Sequence, residues 1–202
     1  MKISISINQQ SIQDKIKKTL LSTKVEKLAY NRAYGQFYRA KSSLLTEFDY
    51  HPVTAELLMG PKGINLTNSL DGYGNLFSFI GFKQGDKPTD NLKQYLSQSI
   101  RFVKTSYING NYYFRVSVPT LKDVHDVTPM PWEDGSTSWV EAVEDGLDSA
   151  PQYMFKQWQK SRSSMGLQLP GDIENNEDLQ QSPVKYMSEL LNNFRNRINS
   201  QR

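Results

Sequence analysis

Glu141, Glu144 and Asp145 are side chains whose types and spacing could do chemistry. Carboxylates at this spacing can act as a general acid and base, or bind a divalent cation through their oxygens. Several acids on one helical stretch are also typical of a solvated or partner-facing surface. The sequence contains no GxSxG motif, no nucleophile–histidine pairing and no dinucleotide fingerprint. We therefore expect a protein that is not an enzyme and that needs no cofactor and no metal.

The two histidines and one Gly-Lys turn are the remaining candidates for chemistry. His51 and His125 are far apart in sequence, and neither belongs to a metal-ligand spacing. Each is therefore interpreted as a loop residue. Gly60-Pro61-Lys62-Gly63 has the residue types of a phosphate loop. It lacks the GxxxxGK[ST] spacing and the preceding strand, so it is interpreted as a turn.

Charge is unevenly distributed although the formal net charge is only +3. Residues 8–48 carry eight Lys/Arg and three Asp/Glu, residues 120–150 carry one Lys and eight acids, and residues 185–202 carry four basic residues and one Glu. Solvated faces would give this pattern, and so would electrostatic complementarity between copies of the chain. The candidate interface residues are Lys15, Lys24, Lys27, Arg32, Lys104, Arg115, Trp132, Trp139, Glu141, Glu144 and Asp145.

Nucleic acid could contact only the basic N-terminal segment, where Tyr30, Tyr34 and Tyr38 accompany the basic residues. Such contacts would be salt-dependent and independent of base sequence. A dedicated DNA-binding domain usually carries a stronger positive charge. Non-specific contact with DNA is therefore the expectation, and specific reading of bases is not.

The bulk composition is that of a polar, foldable chain. It has 202 residues, no cysteine and a mean hydropathy of -0.62. No apolar run approaches the roughly 20 residues of a membrane span. Met1 to Ile7 alternate with a period of two, which predicts a strand and not a secretory signal. We expect no membrane association and a location in the cytoplasm or in something assembled there.

Residues 8–48 are predicted to form a long N-terminal helix. Apolar residues between Ile12 and Leu44, with Leu28 among them, recur at helical steps and form one stripe. Gly35 lies inside this stripe and costs about 1 kcal/mol relative to Ala, so the helix could break or kink there. Pro52 ends the pattern.

A β-hairpin at residues 100–118 is the clearest local signal. Asn109-Gly110 is the preferred pair for a two-residue type I′ turn. This turn predicts that Tyr107 faces Tyr112, that Val103 faces Val116 and that Lys104 faces Arg115.

The whole pattern predicts an α+β fold, with a long N-terminal helix packed on a small antiparallel sheet, a central hairpin (100–118) and a C-terminal helix. Residues 1–202 are interpreted as a single domain. The other predicted elements are a buried strand at 76–82, helices at 54–59, 89–98, 138–147, 152–158 and 183–198, and a flexible loop or arm at 161–183.

Several short motifs follow the long helix in a fixed order. Gly74-Asn75-Leu76 precedes the hairpin, and Val143-Glu144-Asp145-Gly146 precedes the last helix. This order resembles the neck, or tail-completion, proteins of long-tailed bacteriophages, in which "GNL" and "V-E-x-G" steps occupy these places. The segment from Pro129 to Ser163 also resembles virion structural proteins of large tailed phages. The chain departs from the family pattern in its longer 161–183 loop and in Asp145, where a bulky apolar residue is common.

The resemblance implies a virion protein assembled in the host cytoplasm. Its copies would form a ring, a hexamer, at the head–tail junction. One side would bind the head connector and the other the tail-terminator or tail-tube protein, with non-specific contact to packaged DNA in the channel. The alternatives are another virion structural or baseplate adaptor protein, a small metal-dependent enzyme using the Glu141–Asp145 acids, and a cellular nucleic-acid-binding protein.

Overall fold

The computed structural model describes residues 9–20, 23–70, 74–108, 111–131, 137–146 and 181–200. The fold is α+β, with a long N-terminal helix on a small antiparallel sheet and a C-terminal helix, as the sequence predicts. The chain divides into two compact units. Unit 1 comprises residues 1–39 and 101–117, and unit 2 comprises residues 40–100 and 118–202. The interpretation as one domain stays a prediction.

Unit 1 is a helix on a hairpin. The predicted N-terminal helix consists of α1 (Gln9–Leu20) and α2 (Thr23–Tyr50), and α2 passes through Gly35 without ending. Residues 23–39 of α2 belong to this unit. The strands β1 (Arg101–Ile108) and β2 (Asn111–Ser117) pair antiparallel.

The register of the hairpin departs from the prediction at a bulge in β1. Tyr107 pairs with Tyr112, as predicted, but the register shifts between Val103 and Ser106. Val103 therefore pairs with Arg115, and Phe102 pairs with Val116. The predicted pairs Val103–Val116 and Lys104–Arg115 are wrong because the extra residue reverses the faces beyond it.

The bulge turns Phe102 toward α2. Its ring lies edge-on to Tyr30 and Tyr34 at centroid distances of 5.4 and 5.6 Å, and it stacks on Phe114 at 5.6 Å. In this register Arg115 lies opposite Val103. The long helix is held on the hairpin by this aromatic contact.

Unit 2 contains the hydrophobic core. The fully buried Leu44 and Phe48 come from the end of α2, and Leu96 and Phe194 come from later helices. The helices predicted at 54–59, 89–98, 138–147 and 183–198 are present. The elements of unit 2 after α2 are α3 (Pro52–Leu58), a 3-10 turn (Gly60–Lys62), α4 (Leu76–Ile80), α5 (Pro88–Ser99), α6 (Leu121–His125), α7 (Trp139–Asp145) and α8 (Met187–Asn199).

The predicted strand at 1–7, the helix at 152–158 and residues 161–180 of the arm lie outside the described residues.

The buried strand predicted at 76–82 is wrong, because this run begins with helix α4. Asn75 caps the helix, since its Oδ1 accepts a hydrogen bond from the Ser78 N–H at 2.9 Å. Gly81 ends it with φ 89°, a left-handed conformation that suits glycine. All five helical residues are buried, including the polar Ser78, so the helix has no exposed polar side. Periodicity cannot distinguish such a helix from a buried strand.

A buried carboxylate positions the loop that precedes α4. Glu56 is fully buried and accepts hydrogen bonds from the N–H and hydroxyl of Thr67, both at 2.9 Å. Its other oxygen accepts from the Leu76 N–H at 2.6 Å. The Asn75 amide donates to the carbonyls of Pro61 and Gly63. These bonds satisfy the buried polar groups of Glu56 and Asn75, and they tie residues 61, 63 and 67 to the start of α4.

Candidate assembly surfaces

Glu144, one of the acids that the sequence singles out, caps the C-terminal helix. Its Oε1 accepts hydrogen bonds from the N–H groups of Tyr186 and Ser188, at 2.9 and 2.7 Å. These groups belong to the first turn of α8, where N–H groups lack partners within the helix and a negative charge is favourable. The carboxylate therefore holds α7 to α8. Among the described residues, no group of three or more His, Cys, Asp or Glu side chains could hold a metal ion.

The other acids of this region that the structure describes lie on or directly after α6 and on α7, and they are exposed or half-exposed. Asp123, Asp126 and Asp145 are exposed, and the Glu141 side chain is 47% exposed. His125 Nδ1 lies 3.7 Å from Glu141 Oε1, which links α6 to α7 when the imidazole is protonated. We call Asp123, Asp126, Glu141 and Asp145 the acidic face.

Asp123 closes a capping box at the start of α6. The N–H and hydroxyl of Thr120 donate to Asp123 Oδ2 at 2.7 and 2.8 Å, and these bonds lower the pKa of the Asp123 carboxyl. A hydrogen bond to the charged form favours that form. Asp123 therefore contributes both to the start of α6 and to the negative charge of the acidic face.

His51 is the N-cap of α3. Its Nδ1 accepts a hydrogen bond from the Val53 N–H at 3.3 Å, and its ring lies 4.8 Å from that of Tyr186. Burial lowers the pKa of the imidazole, and the charges of Glu189 and Glu144 oppose this effect. A ring nitrogen that accepts from the backbone must be unprotonated, so the geometry requires the neutral form. His51 serves the fold of unit 2.

The basic residues singled out in the sequence lie on the surface of unit 1. All of those whose side chains are described are exposed, along both helices and on β2. The side chain of Lys104 and the whole of Trp132 lie outside the described residues. The exposed candidates are Lys15, Lys24, Lys27, Arg32 and Arg115.

Unit 1 also exposes most of its large apolar side chains. In its described part, Phe37 is the one apolar residue that is buried, at 5% exposure. Leu28, a member of the apolar stripe identified in the sequence, is 68% exposed because Tyr30 and Tyr34 take the side of α2 that contacts the hairpin. The aromatic spacing Tyr30, Tyr34, Phe37 was the signal that could have identified this side. The side chains in unit 1 that are more than a third exposed are Ile12, Ile16, Val25, Leu28, Tyr30, Tyr34, Tyr38, Val103, Ile108 and Tyr113.

Trp139, an interface candidate in the sequence, is a core residue of unit 2. It is 2% exposed and lies 5.9 Å from the ring of Phe82 and 6.3 Å from that of Tyr186. It is therefore unavailable as a surface contact. The N-cap Ser138 fixes the start of its helix, since the Ser138 hydroxyl accepts from the N–H groups of Val140 and Glu141.

Comparison of this chain with protein-family models, with curated proteins and with solved structures finds no match. In the part of the chain that the structure describes, every helix is too short or too polar to cross a membrane.

Proposed function

We propose that this chain is a structural, non-catalytic protein of a tailed-phage virion that forms a ring with its own copies at the head–tail junction. In that place it links the head connector to the tail. One observation carries the assembly part of the proposal: in its described part, unit 1 buries a single apolar residue and leaves most of its large apolar side chains more than a third exposed. The position in the neck is supported by the motif resemblance.

A unit of this kind gains stability from a partner. A hairpin of two strands is marginal alone and needs further strands or a packed helix, and α2 covers one face of the hairpin here. The other face exposes Val103, Ile108 and Tyr113 by 40, 52 and 51%. Exposed apolar surface of this extent marks a contact with another molecule. A second chain would cover what unit 1 leaves open.

The energetics are adequate for association. Complete burial of a side chain the size of Leu or Phe contributes about 1.5–3 kcal/mol. Leu28 and Tyr38 are 68 and 63% exposed, and several smaller contributions surround them. Association costs on the order of 4–15 kcal/mol in lost freedom of motion. The ten exposed large apolar side chains of unit 1 are on average about half exposed, so burial of all ten would contribute about 8–15 kcal/mol, which is of the same order as this cost.

The motifs that carry the family resemblance have structural roles. Asn75 of the Gly-Asn-Leu step caps α4, and Glu144 of the Val-Glu-x-Gly step caps α8. Both side chains hold elements of unit 2 in place. Such motifs are expected in a family whose shared property is a fold and not a catalytic site.

The proposal is tested by sedimentation velocity and electron microscopy on the full-length protein, alone and with the connector and tail proteins of its own particle. We expect rings, or a complex with those proteins. Tyr38→Ser should weaken the assembly, whereas Tyr50→Ser should not, although Tyr50 is 82% exposed on the same helix. A monomer that binds none of these proteins would contradict the proposal.

A further inference from the structure

Gly35 lies in the middle of a long exposed helix, and no contact among the described residues requires a glycine there. Glycine destabilises such a position relative to alanine, because it has the larger conformational freedom to lose. A Cβ atom at Gly35 would meet nothing within 4 Å. Its φ angle is not positive, so the backbone does not require glycine either. The contacts of the described residues therefore give no account of this glycine.

The neighbours of Gly35 on the helix surface are basic and apolar. Residues three, four, seven and eleven positions apart share one face of a helix. Lys24, Leu28, Arg32 and Arg39 stand at these spacings from Gly35, and all four are exposed. This surface, which we call the Gly35 face, points away from the side of α2 that carries the aromatic contacts with Phe102. The helix backbone carries no side chain at Gly35, and three positively charged side chains lie on the same face.

We infer that the Gly35 face binds the acidic face of a second copy of this chain. Bare backbone at Gly35 permits an approach that any larger side chain would prevent, and the flanking cations attract carboxylates. The acidic face supplies Asp123, Asp126, Glu141 and Asp145, which are exposed or half-exposed. The inference rests on the proposed assembly into a ring and names the two surfaces that form it.

Charge excludes a symmetric alternative. Two Gly35 faces in contact would bring three positive charges against three others, which is unfavourable at contact distances well below the Debye length of about 8 Å. Contact between a basic and an acidic face is heterologous, so each copy uses one face for each neighbour. A heterologous contact generates a closed ring or an open filament and not a two-fold dimer.

The test starts from the assembled wild-type protein and the variants Gly35→Ala and Gly35→Leu. Both should raise the melting temperature of the monomer, because both residues form helix better than glycine and the space is open. Gly35→Leu should nevertheless weaken self-association at least about tenfold. Gln94→Leu, at an exposed position of α5, is the matched control and should leave association unchanged. If Gly35 served folding alone, Gly35→Leu would not raise the melting temperature and at the same time weaken self-association.

Charge reversal identifies the partner surface. Arg32→Glu with Arg39→Glu should abolish the ring, and so should Glu141→Lys with Asp145→Lys, while an equal mixture of the two double variants should restore it. The inference is overturned if the mixture stays monomeric, or if Gly35→Leu assembles like wild type. It is also overturned if Gly35→Leu keeps the ring and loses only its binding to duplex DNA. A wild-type protein that is monomeric would refute the proposed ring itself.

Discussion

Glu144 gives the sharpest prediction about how unit 2 is held together. Its Oε1 accepts from two N–H groups at the start of α8, Tyr186 at 2.9 Å and Ser188 at 2.7 Å. Loss of a capping side chain costs about 0.5–2 kcal/mol, and loss of a negative charge at a helix start costs about 0.3–1 kcal/mol. Glu144→Ala should therefore lower the free energy of unfolding by about 2 kcal/mol.

Glu144→Gln should be milder, because one amide oxygen can accept both bonds. Hydrogen bonds to a charged acceptor are roughly twice as strong as neutral ones, so we expect about half the loss, near 1 kcal/mol. For a chain of this length, each kcal/mol shifts the melting temperature by about 2–4 °C. Thermal denaturation followed by circular dichroism should rank the proteins wild type, Gln and Ala, with shifts of about 2–4 and 4–8 °C.

Glu141→Ala on the same helix is the matched control. Its side chain is 47% exposed and its carboxylate caps no helix, so its effect should stay within about 0.5 kcal/mol. The reasoning is refuted if Glu141→Ala and Glu144→Ala have the same melting temperature, or if Glu144→Gln lowers the melting temperature as much as Glu144→Ala. A stabilising shift with a small ligand that Glu144→Gln removes would instead indicate a catalytic or metal-binding acid.

Three further predictions address other parts of the fold. Tyr186→Phe should cost about 1–3 kcal/mol because it leaves the buried Thr54 hydroxyl without its 2.7 Å partner, and adding Thr54→Val should recover part of the loss in chemical denaturation. Burial lowers the pKa of His51 below its usual 6.5, so the unfolded chain takes up a proton before the folded one does. The free energy of unfolding should therefore fall as the pH drops below about 6.5, and it should level off below the pKa of His51 in the folded protein. His51→Asn keeps the helix cap, so it should flatten this part of the profile of melting temperature against pH. Phe102→Ala should destabilise unit 1 by about 1.5–3 kcal/mol and Val103→Ala by clearly less, as measured by hydrogen exchange of the hairpin amides; equal effects would refute the bulged register.

The sequence predicts most helices and the hairpin because periodicity and turn residues are local signals. It fails at α4, since a helix buried on all sides has no periodicity to detect. It also fails at the bulge beyond Val103. The bulge depends on the fit of the Phe102 ring against Tyr30 and Tyr34, which are distant in the chain. Register is set there by tertiary packing and not by the turn.

The sequence predicts the sign of the charge on the candidate surfaces, but it does not predict which individual residues are exposed. The basic helix and the acidic segment were visible as residue types, and the structure places most of their described members on the surface. Trp139 and Glu144 were indistinguishable in sequence from surface residues, yet one lies in the core and the other caps α8. The exposure of Leu28 could not be predicted either. The helix has two apolar sides, and the spacing of its apolar residues does not show which side contacts the hairpin.

The central claim is that unit 1 becomes covered when the protein assembles, and thiol labelling tests it directly. The chain has no cysteine, so one introduced thiol is a unique reporter. The rate of maleimide labelling would be measured for Leu28→Cys and for Tyr50→Cys, with the chain dilute and with the chain assembled. We expect assembly to slow the labelling of Leu28→Cys strongly and that of Tyr50→Cys little. Equal rates for Leu28→Cys in both states would contradict the claim.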